Sequence, residues 1–541
     1  MRVFEFATES QRMGPTTAIF IPHQRVDTTP LVTLTHVCSH WRALLLNMPS
    51  MWTRTDCFNL NRLSTFASRA GTLPLSLYIS PPKAVKHFTG KNPSVITLYA
   101  DRISRIDAEY IGGADLTDAV TLLLGMTQAP CPSLRCLNLR ISGGLKALPS
   151  GKAAMILNQP TSSLKALALS NTIVEYIPEN DFPYLTHLYL SFREGNHREL
   201  SRRILSMLSR CPLLEFVHLD CIPASAANVA PDAPGAPIAL DNLRGIVFTR
   251  CHSSLLHVLD RFRLPQAVYV RMEEAAISPP FPLQALPDAI VKEATTLEIV
   301  TCRQREVPTC SVCVHVRGVD SALYVQGRTD NLATANAWQR DHLRLILPIL
   351  ASQLTAFLIS SPLPAEELAQ MPRLHTLKLP LWHSSSDTLG PLREVSAALG
   401  DGGLCDALRE LWLRPHVLYI GEHRPESQDF PAVVDQYAAT LGGMAAARAR
   451  RGCALERLVV APVWRTFNAG FLQPDDKRRS KETIEREVRG HVGALDVFVQ
   501  TYEEYYRASE GVAVETAVWD VEREEAYWEL PAEQHWPVTA A

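Results

Sequence analysis

Cys131-Pro-Ser-Leu134-Arg-Cys-Leu137-Asn-Leu139 is a phrase that this chain repeats along most of its length. Cys211-Pro-Leu-Leu214-Glu-Phe-Val217-His-Leu219 follows it almost position by position. Looser copies are Ser163-Leu164-Lys-Ala-Leu167-Ala-Leu169, Phe182-Pro-Tyr-Leu185-Thr-His-Leu188-Tyr-Leu190 and Asn242-Leu243-Arg-Gly-Ile246-Val-Phe248. The C-terminal half adds Thr296-Leu297-Glu-Ile-Val300, Leu354-Thr-Ala-Phe357-Leu-Ile359 and Met371-Pro-Arg-Leu374-His-Thr-Leu377-Lys-Leu379. Ala407-Leu408-Arg-Glu-Leu411-Trp-Leu413 and Ala454-Leu455-Glu-Arg-Leu458-Val-Val460 complete the set. From Leu134 to Leu243 the first leucines of successive copies lie 30, 21, 29 and 29 residues apart. The next two gaps, 54 and 57 residues, each hold a degenerate copy, at Ala267-Val-Tyr-Val270 and Ala322-Leu-Tyr-Val325. Alternation in Leu-x-Leu is the pattern of a short strand with one face buried.

A period of about 20–30 residues with this phrase is the signature of a leucine-rich repeat. Helix-length segments lie between copies, at 197–209, 337–350 and 432–451. One such unit cannot bury its apolar face alone, whereas stacked units share a continuous core. The expected fold class is therefore α/β: an irregular solenoid with its strands in one curved, roughly parallel sheet and its helices and loops outside. The competing arrangement is a doubly wound sheet of unrelated strands. Leu139, Leu169, Leu190 and Leu219 lying in separate sheets would contradict the solenoid.

The N-terminal region has another character. In Leu31-Val-Thr-Leu34-Thr-His-Val37-Cys38-Ser-His-Trp41-Arg-Ala-Leu44-Leu45-Leu-Asn-Met-Pro49-Ser-Met-Trp52, the residues Leu34, Val37, Trp41, Leu44 and Leu45 fall at helical spacing, and Pro49 ends the helix. Val3-Phe4-Glu-Phe6 reads as the tail of an earlier helix, joined through a polar connection over 10–29. The string Val37-Cys38-Ser39-His40-Trp41-Arg42-Ala43-Leu44 with Pro49 and Trp52 resembles the second half of a fungal F-box. Phe66-Ala-Ser-Arg69-Ala-Gly71-Thr-Leu-Pro74-Leu75-Ser-Leu77 resembles the strand unit that follows the F-box in fungal F-box proteins with leucine-rich-repeat-like tails. The family's usual Leu-Pro opening has no counterpart before Val3, so the resemblance implies an F-box whose first helix is incomplete.

That resemblance implies a substrate-recognition subunit of an SCF-type cullin–RING ubiquitin ligase. Leu34, Val37, Trp41, Leu44, Leu45, Pro49 and Trp52 would bind the adaptor subunit, Trp52 being the one expected to turn inward. The repeats would bind a protein substrate. The alternative kept open is a repeat scaffold with no ligase link, its F-box non-functional. On either reading the variable positions between paired leucines form the recognition face. Among them Tyr189, His218, Lys378 and Trp412 are the residue types that supply interface hot spots.

Composition narrows the rest. The 541 residues carry 53 Lys and Arg against 56 Asp and Glu, a net charge of −3, which gives no basic excess for nucleic acid. No run approaches the roughly 18 apolar residues of a membrane span. Twelve scattered Cys are too few for a disulfide scaffold, and the expected compartment is reducing, cytoplasm or nucleus. Phosphate-loop, dinucleotide, zincin and nucleophile-elbow motifs are missing, so no catalytic, cofactor-binding or metal-ligating residue is assigned and no enzyme is expected. Cys310-Ser-Val-Cys313 with His315 reads as an alternating strand with ordinary thiols, and His36 and His40 as solvated positions on one helix. Arg448, Arg450 and Arg451 with Lys477-Arg478-Arg479 read as helix ends or loop residues, a nuclear address or an acidic-partner contact being the other options. Ile484, Val488, Val492, Leu495, Val499, Tyr502 and Tyr506 predict a long amphipathic capping helix, followed by a tail with Trp519, Tyr527, Trp528 and Trp536 packed on the last repeats. The expected domains are thus 1–55 F-box-like, 56–470 repeats, and 471–541 cap and tail.

Overall fold

The computed structural model describes residues 28–56, 60–79, 98–111, 131–142, 163–172, 177–192, 200–221, 237–251, 261–265, 267–276, 288–303, 310–319, 321–329, 332–359, 365–381, 389–400, 404–415, 418–420, 430–466 and 474–501. The expected helix tail at Val3–Phe6, most of the 10–29 connection and the Trp-rich tail lie outside them. The expected single array over 56–470 divides into two compact units, one containing Met1–Pro265 and the other Gln266–Ala517.

The first unit begins with helices α1 (Thr29–Leu34), α2 (Ser39–Leu46) and α3 (Leu60–Arg69). The one helix expected over this stretch is broken between α1 and α2. Thr35 turns its hydroxyl onto the Val32 carbonyl at 2.6 Å, and Cys38 is extended, its Sγ accepting from the Trp41 N–H at 3.4 Å. Short polar side chains that bond the backbone locally compete with helix continuation, which is why the apolar spacing did not suffice. His36 and His40 therefore do not share one helix.

Eight strands then pair in parallel, each with the next: β1 (Arg54–Asp56), β2 (Leu75–Ile79), β3 (Ile103–Ile111), β4 (Cys136–Ser142), β5 (Ala166–Thr172), β6 (His187–Phe192), β7 (Phe216–Asp220) and, after a short β8 (Ile238–Ala239), β9 (Gly245–Thr249). β8 pairs separately with β10 (Phe262–Arg263). Leu139, Leu169, Leu190, Leu219 and Phe248 are aligned in register, as are Leu137, Leu167, Leu188, Val217 and Ile246. All ten are buried, and each such side chain contributes about 1.5–3 kcal/mol relative to exposure. Strand order follows chain order without the switch point at which a doubly wound sheet reverses. Each copy opens with one turn, its first leucine N–H bonding back three residues, at Cys131, Phe182, Cys211 and Leu240. Pro132, Pro183 and Pro212 occupy the second turn position, where a fixed φ favours a type I turn. Helix α4 (Leu200–Leu208) buries Leu200, Ile204, Met207 and Leu208, the stripe that helical periodicity demands.

The second unit holds β11 (Tyr269–Ala276), α5 (Asp288–Glu293), β12 (Thr296–Arg303), β13 (Cys310–Arg317), β14 (Ala322–Thr329), α6 (Leu332–Leu350), β15 (Ala356–Ile359), α7 (Ala365–Leu368), β16 (Thr376–Leu381), α8 (Gly390–Gly400), β17 (Glu410–Pro415), β18 (Leu418–Ile420), α9 (Phe430–Arg450), β19 (Arg457–Val460), β20 (Val463–Thr466), α10 (Pro474–Val488), β21 (Ala494–Val497) and β22 (Gln500–Thr501). Its main sheet runs β11-β14-β13-β12-β15-β16-β17-β19-β21. β18, β20 and β22 form a small parallel sheet. β13 is antiparallel to both neighbours, so β12, β13 and β14 form a meander that reverses chain order. The links 304–309 and 318–321 are too short for the dozen or more residues of a parallel crossover.

The expected helix through Ile484 and Tyr506 ends at Val488. Leu495 and Val497 belong instead to β21, paired in parallel with Leu458 and Val460. Gly493 permits this: a Cβ there would stand 2.8 Å from the Glu456 carbonyl oxygen. The sheet thus continues past the boundary expected at 470. Nor is Arg448 part of a surface patch. It is fully buried in α9 and donates to the carbonyls of Leu399, Leu404, Cys405 and Leu408 at 3.1–3.4 Å. Burial lowers its pKa.

Inside α6, His342 stacks on Trp338 at 3.6 Å and donates from Nδ1 to the Trp338 carbonyl at 2.7 Å. Burial pushes its pKa down to about 4, against about 6.5 in an unfolded chain. The native state then binds fewer protons than the unfolded state between those values, so stability is complete above about pH 6.5 and falls towards pH 4. His342→Phe should remove a loss on the order of 2 kcal/mol from that window. Denaturant unfolding of wild type and variant at pH 7 and 4.5 checks this; equal acid sensitivity would refute it.

Candidate protein-interaction surfaces

The N-terminal helices divide their apolar side chains between two directions. Leu45 and Trp52 are fully buried, and the Trp52 indole N–H donates to the Leu45 carbonyl at 2.8 Å. The Trp52 ring meets Phe66 edge-on at 4.9 Å and carries the Arg69 guanidinium at 4.2 Å. Pro49 begins the 3-10 turn Pro49–Trp52 that aims this ring inward. By contrast, Val37 is 56%, Leu44 41% and Leu46 39% exposed, with Leu34 and Trp41 half-buried beside them and Pro49 exposed. Of the seven residues assigned to adaptor contact, Leu45 and Trp52 are thus internal supports. Leu34, Val37, Trp41, Leu44 and Pro49 retain accessible surface, and Leu46 joins them although the helical spacing did not single it out.

On the strand face of the first unit, Asp107, Asn138, Ala168, Tyr189, His218 and Val247 lie in one cross-strand row. Tyr189 and His218 are both buried and meet edge-on at 4.7 Å. The Tyr189 hydroxyl donates to Asp220 at 3.2 Å, as does Ser191 at 3.0 Å. Arg250 closes on the same carboxylate through two bonds of 2.9 and 2.5 Å. Arg250 holds a left-handed φ of 54° directly after β9, and this costly backbone turns its guanidinium back over β7. Burial, then the Asp220 charge, raises the Tyr189 pKa; the Asp220 bond raises that of Arg250. His218 shares a 2.8 Å hydrogen bond with Thr249. Tyr189 and His218 are therefore bonded within their own unit and present little surface. Asp220, Ser191 and Arg250 were missed because only the residue between paired leucines was considered, and their positions lie two or more residues further on.

The second unit presents a more open row: Arg271, Tyr324, His315, Glu298, Leu358, Lys378, Trp412, Val459 and Asp496. Arg271, Tyr324 and His315 are buried, with Arg271 over the Tyr324 ring at 5.1 Å. Glu298, Leu358, Lys378 and Trp412 are half-buried. His315 Nδ1 stands 3.6 Å from the Glu298 carboxylate, beyond ordinary hydrogen-bond distance. Burial raises the Glu298 pKa, but His315, Arg317 and Lys378 outweigh it and hold the carboxyl below its ordinary value. Lys378 and Arg457 lie over Trp412 at 4.9 and 5.3 Å. Arg457 is bonded to Asp496 at 2.8 Å and Glu410 at 3.3 Å. The structure thus brings Lys378 and Trp412 together and adds Arg317, Glu298 and Arg457 around them.

Thiols follow burial. Cys211 is pushed up to about 12 and Cys405 to about 11, so both stay protonated. Cys313 lies 3.6 Å from the Tyr324 hydroxyl. Among the described residues no group of three or more His, Cys, Asp or Glu is placed to hold a metal ion, and no helix is long and apolar enough to cross a membrane.

No family model and no curated protein matches the chain. A structural neighbour is a chain in the solved complex of Toll with Spatzle, a hub in Drosophila development and innate immunity. It is 10% identical, with a TM-score of 0.29 over 84% of this chain, and the match spans 47% of that chain's own length.

Asp220 should be the keystone of the first unit's strand face. Asp220→Ala leaves Tyr189, Ser191 and Arg250 without their acceptor and should cost about 2–4 kcal/mol, whereas Tyr189→Phe should cost about 1 kcal/mol. A double-mutant cycle in urea checks the coupling. Additive losses would show that the hydroxyl contact contributes nothing.

Proposed function

We propose that this protein is a non-catalytic substrate receptor of the F-box type. Its N-terminal helices would engage the adaptor subunit of an SCF-type cullin–RING ubiquitin ligase. Its strands would form an irregular leucine-rich-repeat array that holds a protein substrate. The carrying observation is the division of apolar side chains over the turn before α2, α2 itself and the 3-10 turn after it. Leu45 and Trp52 are buried, Trp52 against Phe66 of α3, while Val37, Leu44 and Leu46 are exposed and Trp41 is half-buried beside them. Exposed large apolar residues gathered in one short segment mark a surface meant for a groove. The sequence resemblance to an F-box covers the same residues.

A second reading is a repeat scaffold with no ligase link. It draws on the open row around Trp412, which has the aromatic and charged make-up of a binding face without any help from α1 or α2.

Adaptor capture separates the two. Trp41→Ala with Leu44→Ala should reduce pull-down of the ligase adaptor at least about tenfold, since anchor residues of this kind carry 1–2 kcal/mol or more each. Trp52→Ala should instead lower thermal stability, because it empties a packed position. Wild-type capture by the double variant would overturn the assignment of this face, and no capture by wild type would favour the scaffold.

A further inference from the structure

We propose that the open strand face of the second unit binds an extended acidic segment of a partner protein, its carboxylates seated on Arg317 and Lys378 and an apolar side chain between them on Leu358. This deepens the receptor proposal by naming the chemistry of the segment that the repeats would take.

Charge pairing on this face is uneven. Arg457 is occupied by Asp496 and Glu410, and Arg409 by Glu456 at 3.1 Å. Among the described residues, Arg317 and Lys378, both half-exposed, have no carboxylate within ion-pair distance. Both act on Glu298, whose carboxylate is already in contact with His315. Two cations are left pointing at a face that holds one shared acid.

Their spacing sets the ligand's pattern. Arg317 lies in the row of Thr296, Ala356 and Thr376, and Lys378 in the row of Glu298 and Leu358. They stand three strands apart and two residues out of line, roughly 16 Å at about 4.8 Å per strand and 3.3 Å per residue. An extended peptide puts same-facing side chains every second residue, so acids at i and i+4 lie about 13 Å apart and long side chains close the rest. The intervening side chain at i+2 falls over Glu298 and Leu358. Ionised Glu298 repels an acid there, and Leu358 accepts an apolar group. Trp412, capped by Lys378, extends the apolar floor on the far side.

The test uses full-length protein and fluorescently labelled nine-residue peptides, read by anisotropy at low salt. A peptide with Glu at positions 3 and 7 and Leu at 5 should bind about tenfold or more tightly than the same peptide with Gln at 3 and 7. Lys378→Ala and Arg317→Ala should each weaken it about three- to tenfold, and Glu at position 5 should weaken it similarly. The paired variant Lys378→Glu with Arg317→Glu should prefer Lys at 3 and 7, which shows that the face is still folded. Equal binding of the Glu and Gln peptides, or indifference to both Ala variants, overturns the proposal.

The chain's own Glu525, Glu529 and Glu533 share the i, i+4 spacing. If the peptide binds only after these three become Gln, the occupant is intramolecular and the partner assignment is overturned. Adaptor capture by the same variants is measured in parallel. Wild-type protein that captures adaptor but does not distinguish the Glu from the Gln peptide rejects this inference alone. Peptide binding by a protein that never captures adaptor rejects the receptor proposal alone.

Discussion

In-register stacking of the Leu-x-Leu strands is the constraint on which both units depend. A parallel pair needs a long crossover, so each repeat must leave the sheet and return before it can pair again. What brings it back to the same register is the pair of apolar rows. A one-residue slip would turn Leu188 and Leu190 outward and drive His187, Tyr189 and Ser191 into the core. The turn ahead of each strand is fixed by the same device. Lys165 N–H bonds to the Arg135 carbonyl, Thr186 to Lys165, Glu215 to Thr186 and Arg244 to Glu215, each at 2.8–2.9 Å. This ladder begins before the strands themselves and carries the alignment from copy to copy.

Helices of the second unit are fitted to that ladder rather than the reverse. Arg448 reaches from α9 to carbonyls at the end of α8 and in the turn that opens β17. Arg451 adds bonds to Leu399 and Gly400. Helix C-termini leave carbonyls unpaired, and a forked guanidinium satisfies several at once. A buried cation without a carboxylate is expensive, and its carbonyl partners offset that cost. Arg448 and Arg451 thus tie α9 to the end of α8, although their sequence context, Ala447-Arg448-Ala449-Arg450-Arg451, looks like an ordinary basic helix end.

Legibility in the sequence followed how local the determining physics was. The repeat strands were readable because a turn with proline and two alternating leucines are local signals, as at Cys211–Leu219. The break between α1 and α2 was not, because Thr35 and Cys38 act through bonds to the backbone that apolar spacing does not record. The strand at Leu495 was read as helix because Ile484, Val488, Val492 and Leu495 fit a 3.6-residue period, while Gly490 and Gly493 were given no weight. The reversed order of β12 and β14 depends on link lengths rather than on the strands. Tyr189 and His218 lie on the strand face as expected, but their partners Asp220 and Thr249 lie about thirty residues on in sequence, on neighbouring strands that the local phrase does not record.

The two strand faces show why the same repeat grammar gives opposite surfaces. In the first unit the acid at Asp220 collects every donor around it, two hydroxyls and a guanidinium, and the aromatic residues fold onto one another. The carboxylate and the aromatic pair at the centre of this face are thus bonded within the chain, while Asn138 Oδ1 and Ser170 Oγ are buried without a partner among the described residues. In the second unit the meander puts His315 beside Glu298, so that acid is engaged from one side before Lys378 can claim it. Lys378 lies over Trp412 instead, a weaker contact that leaves its charge free to meet another anion. The first unit's buried carboxylate is thus bonded by its own neighbours, whereas in the second unit Lys378 meets an aromatic ring and, among the described residues, no carboxylate within ion-pair distance.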